Sequence, residues 1–439
     1  MKRSFLLLFL AFPGFLAGQA PQVTATAVLA EFDRLAAAPL WPGFDPRRTP
    51  LAIYDGERTI LVRHPSPPPE FKAEGDLRVF PGRHPEMNAN TSIALGGVQT
   101  ATLIVDLRKP RSAREWASVM VHETFHVFQR QRHPSWAANE GELFLYPLGD
   151  AGLLASRRLE TEAFRRALAA KKVDDAFCWT GQALASRYER FGKMTAGAVG
   201  YERGTELNEG LAAFVENLAL GKTGGPEIPA TGYAAGDVRS RAYSIGFAEA
   251  ALLGRFDPAW RSALEDGRSR SLDEMLHQAV TGKSSRPCGF KPAETAAIVS
   301  RAREDAAKLS GERRSLRESF LGRPGWRIEI AAGSSLFPQG FDPLNVVLVA
   351  PGEILHRRFL KLGSNAGTID VLDRESLTRA AGEHPLFNGV ADFQVTGLPA
   401  EPAVSQDGDF LVIEAAGVKI RLKGAKVEKG KELLKVIVP

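Results

Sequence analysis

The chain has 439 residues, of which 44% are hydrophobic and 24% charged, a balance that fits a folded globular protein and excludes a disordered or collagen-like one. That length allows two or three domains. The formal charge of +5 falls to +3 without Lys2 and Arg3, and the basic pairs Arg313-Arg314 and Arg357-Arg358 are broken by acids or apolar residues, so nucleic-acid binding has little basis.

Lys2-Arg3 precedes an apolar run over 5–12, then Pro13-Gly14 and the small residues Ala17, Gly18 and Ala20. This is the pattern of a secretory signal peptide over residues 1–20, and it implies a secreted or periplasmic protein. The run is short for a bilayer, and no later segment approaches 18 apolar residues, so no membrane span is expected in the mature chain. Cys178 and Cys288 could pair in an oxidising compartment or be two unrelated buried thiols. The sequence leaves both open.

Residues 24–38 read as a helix. Residues 51–63 read as strand, with Asp55-Gly56 as a turn. A Pro-rich loop over 64–71 follows, then two β-rich runs over 91–106 flanking Gly96-Gly97. Residues 112–132 hold no Gly or Pro, and Trp116, Val119, Met120, Phe125 and Val127 recur at helical intervals. Further helices are expected at 151–171, 178–192, 204–220, 241–255 and 292–309, with irregular segments at 221–238 and 281–291. Beyond Gly322-Arg323-Pro324-Gly325, short β-rich runs alternate with turns, as in a compact sandwich or barrel. The expected fold class is α+β: a catalytic domain over 21–320, followed by a β-rich domain over 326–439.

The 112–132 helix carries His122-Glu123-Thr124-Phe125-His126, an H-E-x-x-H pentapeptide. Residues i and i+4 share a helix face, so two imidazoles there can ligate one Zn²⁺ at about 2.0–2.1 Å. Glu123 then stands beside the metal, where a carboxylate can take a proton from water. The competing reading is a surface helix with two solvated histidines. A catalytic zinc needs a third protein ligand. His133, Glu140, Glu142, Glu160 and Glu162 are candidates, but Glu209 is the strongest. It lies among Leu207, Leu211, Ala212, Phe214 and Val215, and a carboxylate in that setting wants a cation.

An H-E-x-x-H helix followed by a helix with Glu209-Gly210-Leu211-Ala212-Ala213-Phe214-Val215-Glu216 resembles the gluzincin branch of zinc metallopeptidases. The resemblance covers about 91–255 and implies a zincin-like fold in which His122, His126 and Glu209 hold Zn²⁺. Tyr243-Ser244-Ile245-Gly246 is similar to the Y-x-x-G of gluzincin aminopeptidases, whose tyrosine stabilises the oxyanion; Tyr201-Glu202-Arg203-Gly204 also matches but precedes Glu209. Gly96-Gly97-Val98-Gln99-Thr100 stands where those enzymes carry G-x-M-E-N. The resemblance therefore makes Gly96, Gly97 and Gln99 candidates for substrate binding on an edge strand. The chain departs from the pattern in three places. Between His126 and Glu209 lie 82 residues, an insertion expected to be the helices of 151–192. Ala213 replaces an aspartate that bonds a ligand histidine in thermolysin-like members. Gln99 replaces the glutamate that holds a substrate amine, so the expected peptidase is not a strict aminopeptidase, unless another acid such as Glu206 reads the amine. The alternatives are a zincin-fold binding protein without catalysis and a zinc hydrolase of non-peptide amides or esters.

Overall fold

A computed structural model describes residues 23–106, 111–266, 271–284, 287–341, 345–384 and 387–438. The expected signal peptide lies outside them. The chain forms two compact units, one from the described residues of 1–133 with 215–223, the other from those of 134–214 with 224–439. The architecture is α+β, with a helical region and large antiparallel sheets in the C-terminal part.

In the first unit, helix α1 (Ala25–Leu35) is capped by the Thr24 hydroxyl and buries Val28, Phe32 and Leu35. Strands β1 (Leu51–Tyr54), β2 (Arg58–Val62), β3 (Lys72–Glu74), β4 (Leu77–Pro81), β5 (Thr91–Leu95) and β6 (Val98–Ile104) form a sheet ordered β3-β4-β2-β1-β6-β5. The β1–β6 pair is parallel, and the other pairs are antiparallel. Gly96 and Gly97, at φ +52° and +80°, make the β5–β6 turn. The outer strand is therefore β5, and the Gln99 strand β6 lies inside it, because the tight Gly-Gly turn folds the preceding segment along its flank.

Helix α2 (Ala113–Arg132) starts at Ser112, whose side chain and that of Glu115 form a reciprocal capping box. It packs on β5 and β6, and Phe125 meets Trp41 and Phe44 edge-on at 5.4 and 5.1 Å. Burial continues almost all round the helix from Trp116 to Gln129. A surface helix with solvated histidines is thereby overturned.

The second unit begins with helices α3 (Ala151–Ala169), α4 (Val173–Phe191) and α5 (Ala196–Thr205). A π-helical turn, Glu206–Gly210, leads into α6 (Leu211–Ala219), whose residues from Val215 on belong to the first unit. Helices α7 (Val238–Phe256), α8 (Trp260–Glu265), α9 (Leu272–Val280) and α10 (Pro292–Leu321) follow. Cys178 and Cys288 form a disulfide. Closing a loop of 110 residues contributes about 4–5 kcal/mol in the chain-entropy view.

This helical part is built on buried charge. Glu160 accepts from Arg187, Arg190 and Arg241, Glu202 from Arg190 and Arg241, and Glu206 from Arg187 through both oxygens. Every one of these side chains is essentially inaccessible. Burial works against the Glu160 anion, yet Arg190, Arg241 and Arg187 hold its carboxyl down to about 2. Burial pushes Glu206 the other way, to about 7, despite Arg187.

Strands β7 (Trp326–Phe341), β8 (Val346–Ala350), β9 (Glu353–His356), β10 (Phe359–Ser364), β11 (Gly367–Leu372), β12 (Ser376–Ala380), β13 (Val390–Leu398), β14 (Ala403–Asp407), β15 (Phe410–Ala415), β16 (Val418–Lys423), β17 (Lys426–Gly430) and β18 (Leu433–Ile437) complete the chain. Their pairing runs β14-β15-β16-β11-β10-β7-β13-β12-β9-β8, with β18 joining β7 in parallel. The first part of β7 pairs with β13 and its end with β10, so one long strand serves both halves. Ile328, Leu360, Ile369, Phe393, Ile420 and Val436 lie in the core between them.

Candidate metal centre

The helical spacing puts the two histidines together. His122 Nε2 and His126 Nε2 are 3.0 Å apart, with the rings edge to face. His126 is 8% exposed and Glu123 7%. The outer nitrogens decide the tautomers. His122 Nδ1 lies 3.2 Å from Glu216 Oε2, and His126 Nδ1 lies 2.8 Å from Gln129 Oε1. A carboxylate or amide oxygen only accepts, so each Nδ1 carries the proton. The two Nε2 atoms are then left facing one another, where a single cation could be shared by both. A tetrahedral site with bonds of about 2.0–2.1 Å separates its nitrogens by roughly 3.3 Å. The residues can therefore hold a metal ion.

Glu209 supplies the third donor. His122, His126 and Glu209 each offer one ligand atom, all within 4.8 Å of one another. Glu209 is buried and sits in the π turn, a wide turn found often at functional sites. That turn is fixed by close backbone packing. A Cβ on Gly246 would come within 2.5 Å of the Glu206 carbonyl oxygen, and one on Gly210 within 2.6 Å of Gly246 Cα. Gly246, the glycine of the Tyr243-x-x-Gly246 match, thus lets α7 approach the turn that carries Glu209.

The same approach sets Tyr243, one helical turn earlier, beside Glu209. Its hydroxyl interacts with Glu209 and lies 3.4 Å from Arg239 Nη2. Burial first, and then the Glu209 charge, push the phenol well above its ordinary value, so it stays a donor. Arg239, 45% exposed, also donates to Glu209 Oε1 at 3.2 Å and to Glu140 Oε1 at 2.6 Å.

The other third-ligand candidates are placed elsewhere. Glu160 is locked among three arginines, and Glu162 pairs with Arg165 and Arg166. Glu140 holds Arg239 and accepts from Tyr201, and Glu142 accepts from Asn139. His133 caps the end of α2. Among the described residues, the one metal-capable group contains Glu209 and none of these. Glu206, the alternative reader of a substrate amine, is buried against Arg187 and turned away from that role.

Gln99 is exposed on β6 opposite Ala94. With Gly97 it lines a cavity of about 680 Å³ that also takes in Arg48, Arg63, Phe128 and Gln131. Phe128 and Gln131 lie roughly 140–200° round the helix from His126, so this cavity follows another face of α2.

Three residues escaped the sequence reading, Gln129 beside His126 among them. Glu216, on α6, lies against His122 Nδ1; its spacing of seven from Glu209 was the available signal. Arg239 stands four residues before Tyr243 on α7, a one-turn spacing that marked it as a neighbour. The chain matches no protein-family model, no curated protein and no solved structure.

Proposed function

We propose that this chain is an exported zinc-dependent peptidase of gluzincin type, with a zincin-like catalytic part. The observation that carries the reading is the convergence of His122, His126 and Glu209, with the buried Glu123 next to His122 in the sequence. A binding protein needs no general base, so a buried glutamate next to the histidine pair favours catalysis. When bound, Zn²⁺ supplies a Lewis acid for the substrate carbonyl and brings the pKa of a water to about 7. Glu123 takes the proton of the attacking water and returns it to the leaving amine. The Tyr243 hydroxyl donates to the oxygen that gains charge. Glu216 and Gln129 hold the imidazoles in the tautomer that presents Nε2. Export agrees with the Cys178–Cys288 disulfide. Among the described residues, no helix is long and apolar enough to cross a membrane.

The test is hydrolysis of a mixed peptide library with added zinc and with chelator, including matched peptides with free and acetylated N-termini. Cleavage that chelator abolishes and acetylation leaves in place is expected. Absence of any cleavage removes the peptidase reading, and loss on acetylation alone makes the enzyme an aminopeptidase. Tyr243→Phe is expected to lower kcat by about 10²–10³-fold with KM little changed, since the hydroxyl acts mainly on the transition state. A variant of normal kcat and reduced thermal stability would make Tyr243 structural.

A further inference from the structure

A cavity of about 270 Å³ opens between α3 and α10, covered by the loop 229–232. Helical spacing lines it with charge. Arg158, Glu162, Arg165 and Arg166 form one stripe on α3, and Glu294 and Arg301 face it from α10. Four guanidinium groups thus meet two carboxylates. Glu162 bonds Arg165 and Arg166, and Glu294 bonds Arg166. Arg158 gives one Nη to Asp305 at 2.5 Å, while its Nε–H is buried with no hydrogen-bond partner. Arg301 is exposed and makes no ion pair among the described residues.

The walls are also rigid. The Arg166 guanidinium lies over Trp179 and Phe290, at 4.6 and 5.0 Å from the ring centroids. Those aromatics neighbour Cys178 and Cys288, so the disulfide ties the Arg166 shelf in place. The loop opposite is closed by a turn in which the Gly232 N–H donates to the Pro229 carbonyl at 2.8 Å. An orphaned buried donor, an excess of forked cations and a small fixed cavity are what an oxyanion needs, because guanidinium groups match its oxygens in pairs.

We infer that this cavity is a binding site for a compact multivalent oxyanion, of phosphate or polycarboxylate type, separate from the metal centre. Arg158 and Arg301 supply the uncommitted donors, and Arg165 and Arg166 supply the fixed field. The volume lies at the small end of ligand pockets, which suits such an anion and not an extended peptide.

The test is calorimetric titration of the full protein with inorganic phosphate, with citrate and with chloride, at constant ionic strength. Saturable binding of phosphate or citrate, one per chain, is expected, and whichever binds more tightly assigns the anion type. Arg158→Gln/Arg301→Gln should raise that Kd at least tenfold. Arg301→Gln alone, at an exposed helical position, should raise it measurably in a protein of unchanged circular dichroism. Arg358→Gln, on the exposed surface of the β-rich part, should bind as the parent does. If neither anion binds saturably, or if Arg301→Gln binds as tightly as the parent, the site does not exist.

Discussion

Replacing Glu123 by Gln is expected to leave metal content and folding intact while lowering peptide hydrolysis by about 10²–10⁴-fold, the usual worth of a positioned general base. The substitution keeps the size of a buried side chain and one acceptor oxygen, and removes its ability to accept and return a proton. Glu123 is not among the converging donors, so metal binding should not depend on it. Metal content and turnover measured on one preparation separate the two effects. Wild-type turnover in Glu123→Gln would remove the mechanism, and loss of metal would make Glu123 a ligand.

Replacing Arg187 by Met is expected to cost about 3–5 kcal/mol of stability, because removing one partner of a buried ion pair leaves the other uncompensated. Arg187 is wholly buried and holds Glu160 at 2.9 Å, both oxygens of Glu206 at 2.5 and 2.9 Å, and Glu249 at 3.0 Å. Burial already pushes Glu249 far above the ordinary carboxyl range. Without the guanidinium, those groups must take up protons or drag in water. Urea unfolding of the parent and the variant checks the value, and a difference below about 1 kcal/mol would show that the cluster relaxes around the loss. Arg187 also anchors Glu206, the first residue of the π turn that presents Glu209. The variant should therefore bind metal less well even where it remains folded.

The H-E-x-x-H helix was legible because its chemistry is local: the i, i+4 spacing alone puts two imidazoles on one face. Glu209 was legible from its apolar neighbours and, with Tyr243, from resemblance, but 82 residues separate it from His126, so no local spacing links the two. The π turn left no local trace; it follows from Gly210 and Gly246 meeting backbone to backbone. Glu160 read as a candidate ligand because charge in a sequence does not say which counter-charge will be buried with it. In the β-rich part, the nearly continuous apolar run 410–416 and the alternating run 418–424 are legible as strands. Strands β14 and β17, wholly exposed, and β3, likewise exposed, carry no apolar period; their pairing partners make them strands. The long β7 passes through Gly333, whose φ of +57° the chain absorbs without leaving the sheet.

Metal binding decides the central claim most directly. Zinc stoichiometry and affinity, measured by competition with a chromophoric chelator after dialysis, should give one tightly held ion per chain in the parent. Glu216→Ala should weaken it by about 10–100-fold, as loss of an orienting partner does. Glu209→Ala should weaken it further still, while Glu140→Ala and Glu160→Ala leave the stoichiometry at one. A parent protein that binds no zinc, or a Glu209→Ala variant that retains it with unchanged affinity, would contradict the His122, His126 and Glu209 centre.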